Sequence, residues 1–289
     1  MERFETKISL KDVTYVYGAG TPYEIKALDN ISVDIKSGII TGIIGHTGSG
    51  KSTLVQLLNG LLKPTAGSVL LDGKDVWEKP KDIAKIRFKV GLVMQYPEYQ
   101  LFEETVEKDI AYAPQNMGCN AEEIKSRVME AVDFAGVDPS WLDKSPFDLS
   151  GGQKRRVAIA GIMAMRPEVL VLDEPAAGLD PRGKNQILSG IRDYQKQTGA
   201  TVVLVSHSME DMAKYCDELI VMSGAGRAMQ GTADKIFSKA EELTSIGLDI
   251  PQITKLMEIL KSRGIAINSG IYTVDDAFEE LIKVFEKNK

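Results

Sequence analysis

A parallel α/β core built around a phosphate-binding loop is the fold class that this sequence predicts, and three observations predict it. Short apolar runs such as Val169-Leu170-Val171-Leu172 and Thr201-Val202-Val203-Leu204-Val205 alternate with helical stretches, the pattern of a buried parallel sheet. Gly45-His46-Thr47-Gly48-Ser49-Gly50-Lys51-Ser52 reads G-x-x-x-x-G-K-S between a strand-like run at 39–44 and a helically spaced run at 52–58. Gln95, the pair Asp173-Glu174 and His207 each follow an apolar run, at the strand edge where open α/β sheets gather their ligands.

Taken in order, residues 5–17 and 31–35 alternate apolar and polar side chains, and with the strand 68–71 they predict a small antiparallel layer. Turns fall at Gly18-Ala19-Gly20-Thr21-Pro22 and at Leu71-Asp72-Gly73-Lys74. The strand Val90-Gly91-Leu92-Val93-Met94 ends at Gln95 and runs into Tyr96-Pro97-Glu98-Tyr99-Gln100-Leu101-Phe102. From about 105 to 166 the spacing is helical. Its clearest helix is 121–136, with Ile124, Val128, Ala131, Val132 and Ala135 on one face, and its last starts near Ser150-Gly151-Gly152 and stops before Pro167. The strand 217–222 and residues 227–230 resemble a hairpin at the sheet's edge. Beyond Gly231 the chain turns helical and charged, with Pro251 starting a helix and Thr273 capping another. Ile253, Leu256, Met257 and Leu260 share one face there, and Val274, Phe278, Leu281, Ile282 and Phe285 another. These stripes suit either packing on the parent domain or a partner.

The 289 residues allow one large domain and an appendage, and a net charge of −6 gives no electrostatic footprint for nucleic acid or anionic lipid. Cys119 and Cys216 stand alone, which favours a reducing compartment. No apolar run approaches the roughly 20 residues of a spanning helix, and the first residues do not begin a signal peptide.

The glycine-rich loop curls consecutive N–H groups toward a phosphate, Lys51 can reach the outer phosphates, and Ser52 can place its hydroxyl on Mg²⁺. Asp173 suits the same ion, and Glu174 suits the polarisation of an attacking water. His207 could donate to the terminal phosphate or to that water, and Gln95 could touch both ion and water. Ser150-Gly151-Gly152-Gln153, after Leu149, is a second anion site: Ser-Gly-Gly at a helix start bares backbone N–H groups, although a lone one would be read as an ordinary helix cap.

With these residues in this order, 5–231 resembles the ATP-binding cassette (ABC) ATPases, whose signature is L-S-G-G-Q. The resemblance implies a P-loop NTPase fold with a RecA-like core, an antiparallel β layer and an inserted helical subdomain at about 96–166, followed by a C-terminal helical element at 232–289 with a possible role in dimerisation. It implies ATP and Mg²⁺ as ligands. Tyr17 would stack on adenine, though an ordinary strand tyrosine suits the sequence nearly as well. Gly45 to Thr53 would hold the phosphates, Ser52, Gln95 and Asp173 the metal, and Lys51, Gln95, Glu174 and His207 would carry the hydrolysis. Asp180, in Ala176-Ala177-Gly178-Leu179-Asp180, would line an interface between subunits. Each signature, Ser150 to Gln153, would cap the nucleotide held by the other subunit of a head-to-tail dimer.

A narrower resemblance is to the ATPases of energy-coupling factor (ECF) transporters, importers of vitamins and other micronutrients, and to the second of their two ATPase subunits. It rests on residues 45–51, 95–102, Asp109-Ile110-Ala111 with Pro114-Gln115-Asn116-Met117-Gly118, and the C-terminal element. It implies a homologous ATPase as partner, a membrane-spanning subunit touching the region around Pro97 to Phe102 with Pro97, Leu101 and Phe102 as candidate contacts, substrate-binding membrane subunits, and a peripheral place on the cytoplasmic face of the cell membrane. A core-filling role for Phe102 is as well supported. The alternatives are the ATPase of another ABC importer, for a metal ion or other solute, a non-transport ABC ATPase, and a subunit that holds ATP without using it. Long coiled coils or a second cassette would mark the non-transport types, and Glu174 with His207 speaks against a silent binder.

Overall fold

Alternating side chains build the first layer of the computed structural model, which describes residues 5–268 and 271–287. Strand β1 (Thr6–Tyr17) pairs antiparallel with β2 (Ile25–Lys36), setting Ile8 opposite Ile35, Leu10 opposite Val33 and Val13 opposite Ile31. On its other side β1 meets β4 (Ala66–Leu71), which turns into β5 (Lys74–Asp75), so the layer runs β2-β1-β4-β5. Strand β2 starts six residues before the expected Ile31. Asn30 takes a positive φ of 48° and the register slips around it, which breaks the alternation that marks a strand in sequence.

The second sheet has the order β10-β9-β3-β8-β7-β6. Four of its strands, β3 (Ile40–Gly45), β6 (Val90–Val93), β7 (Val169–Asp173) and β8 (Thr201–Val205), are parallel and buried along their whole length. Burial on both faces explains their continuous apolar sequence. Val169, Val171, Val203 and Val205 face the antiparallel layer, whereas Leu170, Leu172, Val202 and Leu204 face the opposite way, into a second cluster with the helices. Strands β9 (Glu218–Ser223) and β10 (Gly226–Gly231) form the expected edge hairpin. Parallel pairing of β3, β8, β7 and β6 puts the residues that follow each of them along one edge.

Helix α1 (Lys51–Leu58) leaves the loop after β3 and buries Leu54, Val55, Leu57 and Leu58 between the two sheets, and α2 (Ile83–Lys89) leads into β6. The helical subdomain consists of α3 (Val106–Asn116), α4 (Ala121–Ala135) and α5 (Gly151–Met163). Thr105 and Asn120 cap the first two of these helices, and Gly136, in the left-handed region, ends α4. Helix α6 (Pro181–Thr198) crosses between β7 and β8, and α7 (Met209–Tyr215) between β8 and β9.

After β10 come α8 (Ala233–Phe237), α9 (Ala240–Ser245), α10 (Gln252–Ser262) and α11 (Val274–Lys287). Ala233, Ile236, Phe237, Leu243, Leu248 and Ile250 join the same apolar cluster as α7 and the parallel sheet, so the first half of this element is continuous with the main core. The second half turns much of its apolar stripes outward. Thr254 and Met257 are the buried residues of α10, Leu256 is exposed, and Ala277 is the buried contact of α11 while Val274, Phe278, Ile282 and Phe285 face outward.

Candidate functional site: the edge where four parallel strands end

The loop from Gly45 to Gly50 is shaped by contacts that only glycine tolerates. A Cβ on Gly45 would lie 2.5 Å from Ser49 Oγ and 2.6 Å from the Met222 carbonyl. Gly50 has φ +96°, and a Cβ there would lie 2.6 Å from the Ala27 carbonyl. The Ser49 N–H donates to the His46 carbonyl at 3.1 Å, and Leu54 N–H to Gly50 O at 2.8 Å, which winds the loop directly into α1. The imidazole of His46 folds back on the Thr47 carbonyl through Nδ1 at 2.8 Å, while Thr47 and Gly48 are exposed. Helix α1 has no side-chain cap and no acidic residue in its first turn, so its leading N–H groups face the loop with no side-chain acceptor. Such donors, with the helix dipole behind them, are an anion site. Lys51 is buried, and its Nζ donates to the carbonyls of Gly45 at 2.7 Å and His46 at 3.0 Å. Burial lowers its pKa, while the nearby carboxylates of Glu174 and Asp173 oppose the shift.

At the end of β7, Asp173 is buried and hydrogen-bonded to Ser52, which stands next to Lys51 at the start of α1. Burial raises the Asp173 pKa against the pull of Ser52 and Lys51. Glu174 follows with φ 54°, in the left-handed region that a non-glycine residue seldom adopts unless its neighbours enforce it, and its N–H donates to the Val205 carbonyl at 3.1 Å. Its pKa is pushed up to about 7, first by burial and next by the Asp173 charge. The buried Oε1 of Glu174 has no hydrogen-bond partner, and Ser49 Oγ is orphaned in the same way. His207, just past β8, brings Nε2 to 3.5 Å from that Oε1, and burial lowers its pKa. An acid poised near neutrality, with an unfilled oxygen beside an imidazole, can accept a proton from a bound water.

A divalent cation fits this donor set. Among the described residues no group of three or more His, Cys, Asp and Glu side chains forms a metal cage. Mg²⁺ commonly takes one or two protein oxygens and completes its shell with phosphate and water, which is what the Ser52 hydroxyl and the Asp173 carboxylate offer. Gln95 lies two residues past β6 and is exposed. Tyr17 ends β1 with its ring partly exposed, its hydroxyl 3.2 Å from Thr53 Oγ1 and its edge against Tyr15, so it stands beside the start of α1.

The Ser150 motif sits apart, at the start of α5 in the helical subdomain. The helix-cap reading of Ser-Gly-Gly holds there. Ser150 Oγ accepts from the Gln153 N–H at 3.4 Å and the Gln153 Oε1 accepts from the Ser150 N–H at 2.8 Å, a complete capping box. Gln153 thereby occupies the Ser150 donor, and the N–H groups of Gly151 and Gly152 remain outside the box. A Cβ on Gly151 would meet nothing within 4 Å, which leaves its backbone open to an incoming group. Asp180 caps α6 by accepting from the Gly183 N–H at 2.6 Å, and its neighbour Leu179 lies against Gly152.

Sequence reasoning missed what ties these pieces together. Buried Arg155 on α5 forks onto Glu98, Nε to Oε2 at 3.0 Å and Nη2 to Oε1 at 2.8 Å, donates to the Ala177 carbonyl and lies over the Tyr96 ring. Partners 57 residues apart leave no local signal. Of the expected membrane-facing residues, Pro97 is buried within the chain, Leu101 is half-buried, and Phe102 is exposed with its ring edge-on to Tyr112. Tyr99, which lies within the expected contact region 97–102, is 85 % exposed.

Residues 28–177 match the family profile described as ABC transporter. The chain is 50 % identical over 283 residues to the energy-coupling factor transporter ATP-binding protein EcfA2 of Clostridium acetobutylicum, covering 98 % of this chain and 99 % of that one. It is 52 % identical over 281 residues to the protein of the same name from Acetivibrio thermocellus, covering 97 % and 99 %. Among solved structures, cbiO1 from Clostridium perfringens, part of the ABC transporter complex cbiONQ, superposes with a TM-score of 0.74 at 39 % identity, covering 88 % of this chain and 100 % of that one. The ATP-binding cassette MJ0796, as a dimer in a post-hydrolysis state bound to ADP and Pi, gives 0.71 at 29 % identity over 78 % and 98 %.

Proposed function

This chain belongs to the ATP-binding subunits of energy-coupling factor transporters, within the ABC transporter family, and we propose from its site how it hydrolyses ATP and with what it assembles. The loop amides and the uncapped start of α1 bind the phosphates, and Lys51 exchanges its hold on the Gly45 and His46 carbonyls for phosphate oxygens. Tyr17 stacks on adenine. Ser52, Asp173 and Gln95 would hold Mg²⁺, which would supply charge neutralisation at the phosphates. Glu174 orients the attacking water and accepts its proton, and His207 donates to the terminal phosphate from beside Glu174. The Gly151 and Gly152 amides and the Ser150 hydroxyl act on nucleotide held by a second ATPase subunit, with Asp180 at the same interface. MJ0796, described as a dimer with ADP and Pi, supports that pairing.

We assign the exposed Tyr99, Phe102 and Tyr112 to contact with a membrane-spanning subunit, and the outward apolar face of α11 to the second ATPase. Among the described residues no helix is long and apolar enough to cross a membrane. We place the chain peripherally at the cytoplasmic face of the membrane, in an importer of a vitamin or other micronutrient; the relatives' names support its membership of a transporter as the ATP-binding subunit.

The observation that carries the reading is the convergence of Lys51, Ser52, Asp173, Glu174 and His207 on one sheet edge. Glu174→Gln in the purified complex should keep ATP bound and slow phosphate release by about 10²-fold or more, the scale of a general base. Hydrolysis at the parent rate would refute the role of Glu174.

A further inference from the structure

The turn that carries His207 is anchored from outside the site. Ser208 caps α7 by accepting from the Asp211 N–H at 3.3 Å, and its own N–H donates to Ser206 Oγ at 3.1 Å. Both capping partners are gripped by one side chain. Lys184, in the first turn of α6, places Nζ 2.7 Å from Asp211 Oδ2 and donates to Ser208 Oγ at 3.3 Å. The Asp211 side chain is 12 % exposed, so this ion pair is largely withdrawn from water. Lys184 follows Asp180 by one helical turn, and its N–H donates to the Asp180 carbonyl at 2.9 Å. The loop 176–180 and the His207 turn are therefore joined through Lys184.

The far end of α7 is held by the same helix. Arg192 on α6 forks onto Asp217, both N···O distances being 2.9 Å, and donates to the Tyr215 carbonyl at 3.4 Å. Helices α6 and α7 are thus clamped at both ends, with the Lys184 end next to His207 and the Arg192 end remote from it. Neither pair has a part in the chemistry derived above.

We propose that Lys184 is a positioning residue for hydrolysis, which holds the His207 turn in register with the loop 176–180 through Ser208 and Asp211. Any displacement of that loop by an approaching subunit is carried by α6 to α7 as one body and arrives at His207. The inference rests on the ATPase reading of the site. It assigns separate roles to the two ends of the clamp: Lys184 aligns His207 with Glu174, and Arg192 supplies stability alone.

The test compares Lys184→Met, Lys184→Arg and Arg192→Met in the purified transporter complex, reading thermal stability, ATP affinity and the kcat and KM of phosphate release. Both methionine variants should melt lower than the parent. Only Lys184→Met should lose kcat, by about tenfold or more, with ATP affinity unchanged, as expected for a misaligned group that does not bind ground-state nucleotide. Lys184→Arg, which keeps the cation, should recover most of the rate. Should Lys184→Met fail to assemble, Asp211→Asn carries the same expectation. Equal loss of kcat in Lys184→Met and Arg192→Met, or parent kcat in Lys184→Met, overturns the proposal. A parent complex that releases no phosphate overturns the ATPase reading itself.

Discussion

Gly190, in the middle of α6, faces the end of α4 so closely that a Cβ would lie 1.9 Å from the Phe134 carbonyl oxygen. Alanine at this position is therefore opposed by backbone, which no rotamer change relieves. Restoring ordinary contact requires the two helices to part by about 1.5 Å, and that loosens the edge-to-face stack of Phe134 on Tyr194, whose centroids are 5.3 Å apart. Two effects compete in Gly190→Ala. Helix propensity favours alanine by about 1 kcal/mol, and overpacking a tight contact costs about 1–3 kcal/mol. With backbone against backbone the cost lies at the upper end, for a net loss of about 2 kcal/mol. At roughly 2–4 °C per kcal/mol for a chain of this size class, the melting temperature should fall by about 4–8 °C. Gly161 in α5 is the control, since a Cβ there meets its nearest neighbour, the Asp109 carbonyl, at 3.8 Å. Gly161→Ala should gain about 0.5–1 kcal/mol from propensity. Thermal melts of the two variants beside the parent decide the matter. A Gly190→Ala protein that melts at or above the parent would show that the contact yields freely and refute the reasoning.

Other perturbations test the site's electrostatics and its hidden ties. Glu174 has a folded-state pKa of about 7 against an ordinary 4.5, so folding favours its protonated form; the stability is full below about pH 4.5 and is lost as pH rises through 7. Glu174→Gln should thus match the parent at pH 4.5 and exceed it at pH 8 by about 3 kcal/mol without nucleotide, read from melts across that range. A constant difference across the range would contradict the assignment. Arg155→Met strands the Glu98 carboxylate and the Ala177 carbonyl and should cost about 3–5 kcal/mol, most of which Glu98→Gln added to it should restore in denaturant titrations.

Much of this was legible because the motifs are local. The run 45–52 announces its loop in eight consecutive residues, and apolar runs buried on both faces leave little choice but a parallel sheet. What stayed hidden depends on distance or direction. The alternation of β2 fails at Asn30, where the backbone turns left-handed. Arg155 with Glu98 and Lys184 with Asp211 meet across separate elements, and charge alone does not say which partner is chosen. Amphipathic spacing found the stripe of α11 but not its side: Ala277 packs inward, and the larger Val274, Phe278 and Phe285 face out.

In the proposed function this chain is half of a nucleotide site, with phosphates held at Gly45 to Ser52 and closure supplied by a second subunit. Phosphate release per chain at saturating ATP, compared between the dilute isolated chain and the assembled complex, tests that most directly. ATP should bind in both, and release should grow with association from near zero in the monomer. A chain shown to be monomeric by light scattering, yet releasing phosphate at the rate of the complex, would contradict it.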